Sequence, residues 1–237
     1  MIDFKGQGGI KLSNKFVADK MLARLGWAVP AVTLSLAMLI HWLSGDARAV
    51  PFFISESDYP GPQRILFTSG LFCSGFIICV VSFRLWWTQR QDCRPKLLFI
   101  SMLCGIYTGV NMSLMAFANM YDFLEFHIFT ALGVFQVGML WALMAHLALP
   151  NAQKKGKVLR WIAMIVSFIS FNVMTSALKD AVKGMSKAEA QDALTQLTPL
   201  QHAIDIAAPA EYFLVIGLFI ALASFESDLE VSTSSDQ

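Results

Sequence analysis

The chain has 237 residues, 56% of them hydrophobic and 15% charged, with a net charge of +1 and a mean hydropathy of +0.56. A water-soluble domain of this size needs more polar surface than this to cover its core, so composition points to lipid as the solvent. The near-zero charge removes the basic field on which nucleic-acid binding depends, and the four cysteines (Cys73, Cys79, Cys93 and Cys104) lack the C-x-x-C spacing of a zinc site and do not suggest a disulfide framework.

Residues 1–24 are polar and carry Lys5, Lys11, Lys15, Lys20 and Arg24. The apolar run that follows starts too late for a cleaved signal peptide and is long enough to span, so it reads as an uncleaved signal-anchor. Six such runs occur, at about 25–43, 65–87, 97–119, 126–149, 158–178 and 204–225. Each matches the hydrocarbon thickness at helical rise, and none shows the alternation of barrel strands. The expected fold is an all-α bundle of six transmembrane helices over residues 25–225. Between the first two runs, residues 44–64 hold Pro51, Pro60, Gly61 and Pro62, the composition of an ordered, turn-rich loop. Residues 186–197 open with Ser186 and have Glu189 three later, a capping-box pattern for a short amphipathic surface helix that Pro199 ends. Residues 226–237 are expected to form a disordered acidic tail.

Orientation follows from lysine and arginine. The N-terminal segment, the 84–96 turn (Arg84, Arg90, Arg94, Lys96) and the 149–160 turn (Lys154, Lys155, Lys157, Arg160) hold most of these residues; the alternate loops hold only Arg48, Arg64, Lys179, Lys183 and Lys187. Both termini are therefore expected in the cytosol. Trp27, Trp86, Trp87 and Trp161 lie at the cytosolic span ends and Trp42 at the outer end of the first span, as in an interfacial aromatic belt.

The third span carries small residues at Ser101, Gly105, Gly109 and Ser113, a ridge suited to close packing against a neighbouring span of the same chain, with a homodimer contact as the alternative. Polar groups within the spans are costly in lipid and so carry functional interest. Glu211 lies seven residues into the last run, or about 10 Å at helical rise, and Pro209 withdraws the backbone donor that the Asp205 carbonyl would otherwise meet. Asn111 and Asn172 sit within spans three and five, Glu125 and His127 with Asp122 at the outer mouth of span four, Lys179 and Asp180 at the outer end of span five, and His41 at that of span one. The residues proposed to bind a ligand are Glu211, His127, Glu125, Asp205, Asn172 and Asn111, in an outer-leaflet pocket for a lipid headgroup. A purely structural network, with Glu211 paired to His127, Lys179 or an asparagine, is the competing reading. A metal hydrolase would draw on His127, His202, Asp205 and Glu211, but no ligand spacing supports one; no metal and no cofactor are expected.

Several short motifs carry a resemblance. The first outer loop reads Pro51, Phe52, Phe53, Ile54, Ser55, Glu56, then Tyr59, Pro60 and Pro62, Gln63, Arg64; span four opens with His127; the last span carries Glu211 and Tyr212 and ends in Phe225, Glu226, Ser227, Asp228. This resembles the six-span family of the DNA-damage-regulated autophagy modulators, which also holds the FGF-receptor-activating, post-GPI-attachment lipid-remodelling proteins and the N-terminal part of the CWH-type proteins. The family-motif residues carried over are Ile54, Ser55, Glu56, Pro60, Arg64, His127 and Glu211. Where the autophagy branch has Gly-Thr and paired prolines after the Ser-acid step, this chain has Ser57, Asp58 and Tyr59. The resemblance implies an integral protein of endomembranes, Golgi or endolysosomal, with the plasma membrane as the alternative. Its implied work is on membrane lipid state or autophagy, its partners are membrane lipids and membrane proteins, and no nucleic acid is involved. Binding without turnover is the first reading. A lipid acyl-transfer or hydrolysing enzyme using Glu211 and His127 is the second, and a small-solute transporter the third.

Overall fold

The computed structural model describes residues 2–3, 8–12, 15–91 and 93–234. Its helices are α1 (Asp19–Leu43), α2 (Pro62–Gln89), α3 (Pro95–Met115), α4 (Leu124–Ala148), α5 (Lys154–Ala181), α6 (Lys187–Gln196) and α7 (Gln201–Ser234). Six of them, all but α6, are long and apolar enough to cross a membrane, as expected from the apolar runs. Pro62 and Pro95 occupy the first turns of α2 and α3, where a missing N–H costs nothing. Pro30 and Pro209 lie inside α1 and α7, as membrane helices tolerate when neighbouring groups compensate. Large apolar side chains such as Ile162, Ile165, Phe168, Ile169 and Val173 on α5 are exposed on the outside of the bundle.

Helix ends depart from the apolar runs for local reasons. α1 starts at Asp19 rather than 25, and α2 runs to Gln89, because Asp19 and Arg84 are fully buried against each other: Arg84 Nε and Nη2 each donate to an Asp19 oxygen at 2.6 Å. α3 stops at Met115 rather than 119 because Asn119 Oδ1 accepts from the N–H groups of Tyr121 (3.0 Å) and Asp122 (2.8 Å), a side-chain turn that competes with helix. α6 begins as its sequence pattern implies, with Glu189 N–H donating to Ser186 Oγ (3.3 Å) and Ser186 N–H to Glu189 Oε2 (2.8 Å). Its last carbonyls are closed by Leu197, whose φ of 59° breaks the helix before Pro199.

The polar N-terminal segment also holds structure that its composition did not suggest. Strands β1 (Ile2–Asp3), β2 (Gly9–Leu12) and β3 (Lys15–Ala18) form an antiparallel sheet in that order. The Asp19 N–H donates to the Gly8 carbonyl (3.0 Å), tying the sheet to the start of α1.

The long helices pack in a ring, α4 on α3, α3 on α2, α2 on α1, α1 on α7 and α7 on α5, with α4 and α5 sharing little contact. Glycine sets the closest approaches. A Cβ placed on Gly109 would lie 2.5 Å from the Gly75 carbonyl oxygen, and one on Gly75 would strike the Gly109 carbonyl and Ser113. Ser82 Oγ donates to Met102 O (2.9 Å) and Ser113 Oγ to Phe72 O (3.3 Å) across the same seam. The small-residue ridge of span three thus packs within the chain, against α2.

Both termini lie at one end of the bundle. Trp27 Nε1 donates to Glu226 Oε1 (2.7 Å), Arg24 pairs with Glu226 (3.2 Å), Gln89 Nε2 donates to the Asp228 carbonyl (2.8 Å), and Arg160 donates to the Asp228 carboxylate and to Ser224 Oγ (3.4 Å). These contacts correct the expectation of disorder from residue 226. Two of the acidic residues that suggested a solvated tail, Glu226 and Asp228, are partners of basic groups on α1 and α5, and α7 continues to Ser234. Residues 235–237 of the expected tail lie outside the described residues.

Candidate functional site

The loop between α1 and α2 folds back into the bundle end away from the termini. Phe52, Phe53 and Ile54 are buried there, and Ile54–Asp58 forms a single 3-10 turn. The turn is closed by its own acid: Glu56 Oε1 accepts from the Phe53 N–H at 2.8 Å. Arg48 then clamps Glu56 through Nε and Nη2, both at 3.3 Å, and donates from Nη1 to Gln201 Oε1. Burial pushes the Glu56 carboxyl above its ordinary value, and the Phe53 N–H and the Arg48 guanidinium pull it back.

Three side chains of α7 hold this loop. Gln201 Nε2 donates to the Pro51 carbonyl (3.3 Å), Tyr212 OH donates to the Phe52 carbonyl, and Glu211 Oε2 accepts from the Ile54 N–H (2.7 Å). From the α3–α4 connection, Tyr121 OH donates to the Glu56 carbonyl (3.0 Å), and its phenol is raised by burial and by the nearby Glu56. Arg64 spans Asp58 (3.7 Å) and Asp122 (3.5 Å). The loop is therefore a stopper with polar ties to α7, α2 and the α3–α4 turn.

Asp58 is the strained member of this set. It is almost fully buried, and its carboxylate oxygens have no hydrogen-bond partner among the described residues. Burial raises its pKa from 3.8 to about 7, with Arg64 pulling down and Asp122 pushing up. Because the folded state holds this proton more tightly than the unfolded chain, Asp58 makes stability fall as pH rises between about 4 and about 7. We expect Asp58→Asn to flatten this part of a stability-versus-pH profile measured by thermal melting in detergent. An unchanged slope in the variant would assign the pH response to other groups.

Beneath the stopper lies a narrow apolar chamber of about 70 Å³ lined by α1, α2, α3, α4 and α7. Its upper wall is Ile54, Ser55, His127 and Glu211; its lower wall reaches Trp141 and Phe225. From His127 to Trp141 is about 21 Å at helical rise, the scale of a long acyl chain. His127 Nδ1 donates to the Ala118 carbonyl (2.7 Å), which leaves Nε2 as the ring's other polar atom. The Ile54 N–H reaches Glu211 through Oε2.

Of the candidate ligand residues, only Glu211 and His127 line this chamber. The expected gathering does not extend to the rest. Asn111 is buried in the α3–α4 seam, where its Nδ2 donates to the Tyr107 carbonyl (2.9 Å) and its amide fills the space beside Gly133. Asn172 is exposed on α5, donating to Phe168 O (2.7 Å); Asp205 is exposed and accepts from Gln201 Nε2 (2.8 Å); Glu125 is exposed at the start of α4. The physical reason is helical phase: depth places all of these near one leaflet, but only residues on the inward faces of α4 and α7 share a chamber. Glu211 and His127 are not hydrogen-bonded to each other; each is committed to a backbone group. Of the loop residues, Ile54, Ser55, Glu56 and Arg64 belong to the stopper or its ties, while Pro60 is exposed. Arg48, Gln201, Tyr121 and Tyr212 were not among the candidate site residues. Only Tyr212, adjacent to Glu211, carried a signal in the sequence.

A model of the Frag1/DRAM/Sfk1/Cwh43P N-terminal domain matches residues 21–231, which takes in all six long helices, the stopper loop and both Glu211 and His127. No curated protein and no solved structure gives a significant match. With nearly the whole chain covered by the one model, this integral membrane protein belongs to the Frag1/DRAM/Sfk1/Cwh43P N-terminal domain family.

Proposed function

We propose that this protein binds a membrane lipid, with one acyl chain in the chamber and its polar end at Glu211 and His127 in the outer leaflet, and through that binding modulates membrane lipid state. The observation that carries the reading is the pairing of a narrow apolar chamber, running from His127 toward Trp141, with two buried polar side chains at its mouth, under a loop held by side-chain hydrogen bonds. Charge on the flanking turns supports cytosolic termini, which would put the stopper on the lumenal or outer face. Kinship to the autophagy-modulator and lipid-remodelling proteins supports an endomembrane setting, Golgi or endolysosomal.

Binding is preferred over turnover because neither Glu211 nor His127 activates the other in this arrangement. A second reading, acyl transfer or lipid hydrolysis, rests on the same two side chains bordering one chamber. Native mass spectrometry of the full chain released from mild detergent tests the first. We expect bound lipid on the wild type and its loss from Leu218→Trp, which fills the chamber from α7, with the thermal melt serving as the folding control. A lipid-free wild type would end the proposal, and conversion of the bound lipid to a product would move it to the enzyme reading.

Glu211 can be separated from the chamber by substitution. Glu211→Gln keeps an acceptor for the Ile54 N–H, whereas Glu211→Ala strands it. We expect the alanine variant to lose about 1–3 kcal/mol, the cost of leaving a buried donor unsatisfied, and the glutamine variant to stay near wild type in thermal melts while losing bound lipid. Equal melting of the two variants would show that the tie to Ile54 contributes nothing.

A further inference from the structure

The chamber adjoins a second apolar space. Ser55, His127, Ala131, Phe135 and Glu211 line both the chamber and this space, which measures about 340 Å³ and lies between α4, α5, α6 and α7. That space follows from the packing. α5 is committed to α7, where Gly217 admits Ser167 and Ser167 Oγ donates to the Leu214 carbonyl at 3.2 Å. α4 is committed to α3, where Gly133 admits Asn111. The two helices meet through the rings of His146 and Trp161, 5.1 Å apart near the end that holds the termini, and the space between them lies toward the other end. Its walls there are Leu124, Ile128 and Leu132 on α4 and Met174 and Leu178 on α5, and α6 contributes Leu194.

One lysine stands among these apolar walls. Lys179 lies in the last turn of α5, is exposed, and has no hydrogen bond or ion pair among the described residues. Two apolar spaces that adjoin at a set of polar side chains, with an unpaired cation on the one bounded by α4 and α5, suit one class of ligand. A lipid with two acyl chains branches at its backbone, carries its polar linkages at the branch point, and extends a headgroup away from both chains. An ammonium without a protein partner favours an anionic headgroup over a zwitterionic one through a charge-assisted contact.

We propose that the α4–α5 cleft is a second lipid-chain subsite, through which a two-chain lipid with an anionic headgroup enters from the bilayer, its headgroup on Lys179 and its branch point at Ser55, His127 and Glu211. The inference rests on the lipid-binding reading above and specifies the ligand's chain number and charge.

The test uses the full chain in detergent, offered equal amounts of dioleoyl phosphatidylglycerol, dioleoyl phosphatidylcholine and oleoyl lysophosphatidylglycerol, with retained lipid read by native mass spectrometry. We expect the wild type to prefer phosphatidylglycerol over phosphatidylcholine by about tenfold, the size of one charge-assisted contact, and Lys179→Gln to bring that preference close to one. Leu132→Trp, which fills the cleft alone, should lower retention of two-chain lipids while the single-chain lipid stays bound; Thr175→Trp on the opposite wall repeats the measurement if the first variant does not fold. No headgroup preference in the wild type, or one that Lys179→Gln leaves intact, overturns the anionic assignment. Unchanged two-chain retention in the folded cleft variants overturns the second subsite. Retention of no lipid at all by the wild type overturns the lipid-binding reading itself, which keeps the two failures apart.

Discussion

Replacing Arg84 with leucine should destabilise the protein by about 3–5 kcal/mol, the cost of leaving one member of a buried ion pair without its partner. Asp19 and Arg84 are both fully buried and joined by two hydrogen bonds of 2.6 Å. The pair fastens the first turn of α1 to the last third of α2. Without the guanidinium, the Asp19 carboxylate has neither water nor its charge partner, and the start of α1 with the attached sheet must open to hydrate it. The companion variant Asp19→Asn with Arg84→Leu removes both charges and should recover most of the loss. Equilibrium unfolding in mixed micelles, followed by tryptophan fluorescence, measures the cycle. A single-variant loss below about 1 kcal/mol, the usual worth of a solvated pair, would mean that water reaches Asp19 and that this end of the bundle is looser than its geometry implies.

The second large effect is steric. Gly109→Leu should prevent α2 and α3 from docking, because a Cβ at that position already falls 2.5 Å from the Gly75 carbonyl and against Cys79. Backbone atoms line the contact, so no rotamer change relieves it. The helices must separate along a seam that Ser82 and Ser113 bridge with hydrogen bonds, and dispersion contacts along the interface weaken together. A loss at or above about 3 kcal/mol, the upper end for an overpacked core, is expected, seen as aggregation on detergent size-exclusion chromatography. Gly138→Ala serves as the comparison, since its Cβ would meet the Leu218 side chain at 3.3 Å, an atom that can shift. Equal behaviour of the two variants would show that the α2–α3 distance is not set by glycine.

Much of the site was legible at the level of depth and little at the level of direction. Glu211 stood out because a carboxylate among apolar residues is costly wherever it faces, and His127 because it opens an apolar run. Asn172 and Asp205 looked equivalent to them by position along the chain, yet both are exposed. The hydrophobic runs are apolar on all sides, as lipid-facing helices are, so periodicity offered no inward face from which to sort them. The stopper loop was legible as ordered and turn-rich. Its ties were not, because Arg48 meets Gln201 and Tyr212 meets Phe52 across more than a hundred and fifty residues of chain.

The acidic C-terminal stretch shows the same division. Composition marks Glu226 and Asp228 as charged residues beyond an apolar run. Only the fold reveals that Trp27, Arg24 and Arg160 wait at the same level to receive them. Local chain chemistry determined the number of spans, the capping of α6 and the resemblance to a membrane family, because apolar length, capping pattern and motif order are properties of neighbouring residues. The two adjoining apolar spaces, the buried ion pairs and the identity of the two polar residues that line both were decided by tertiary structure, because they depend on helix rotation and on which helices pack together, and in a lipid solvent the outward faces leave those rotations almost unmarked.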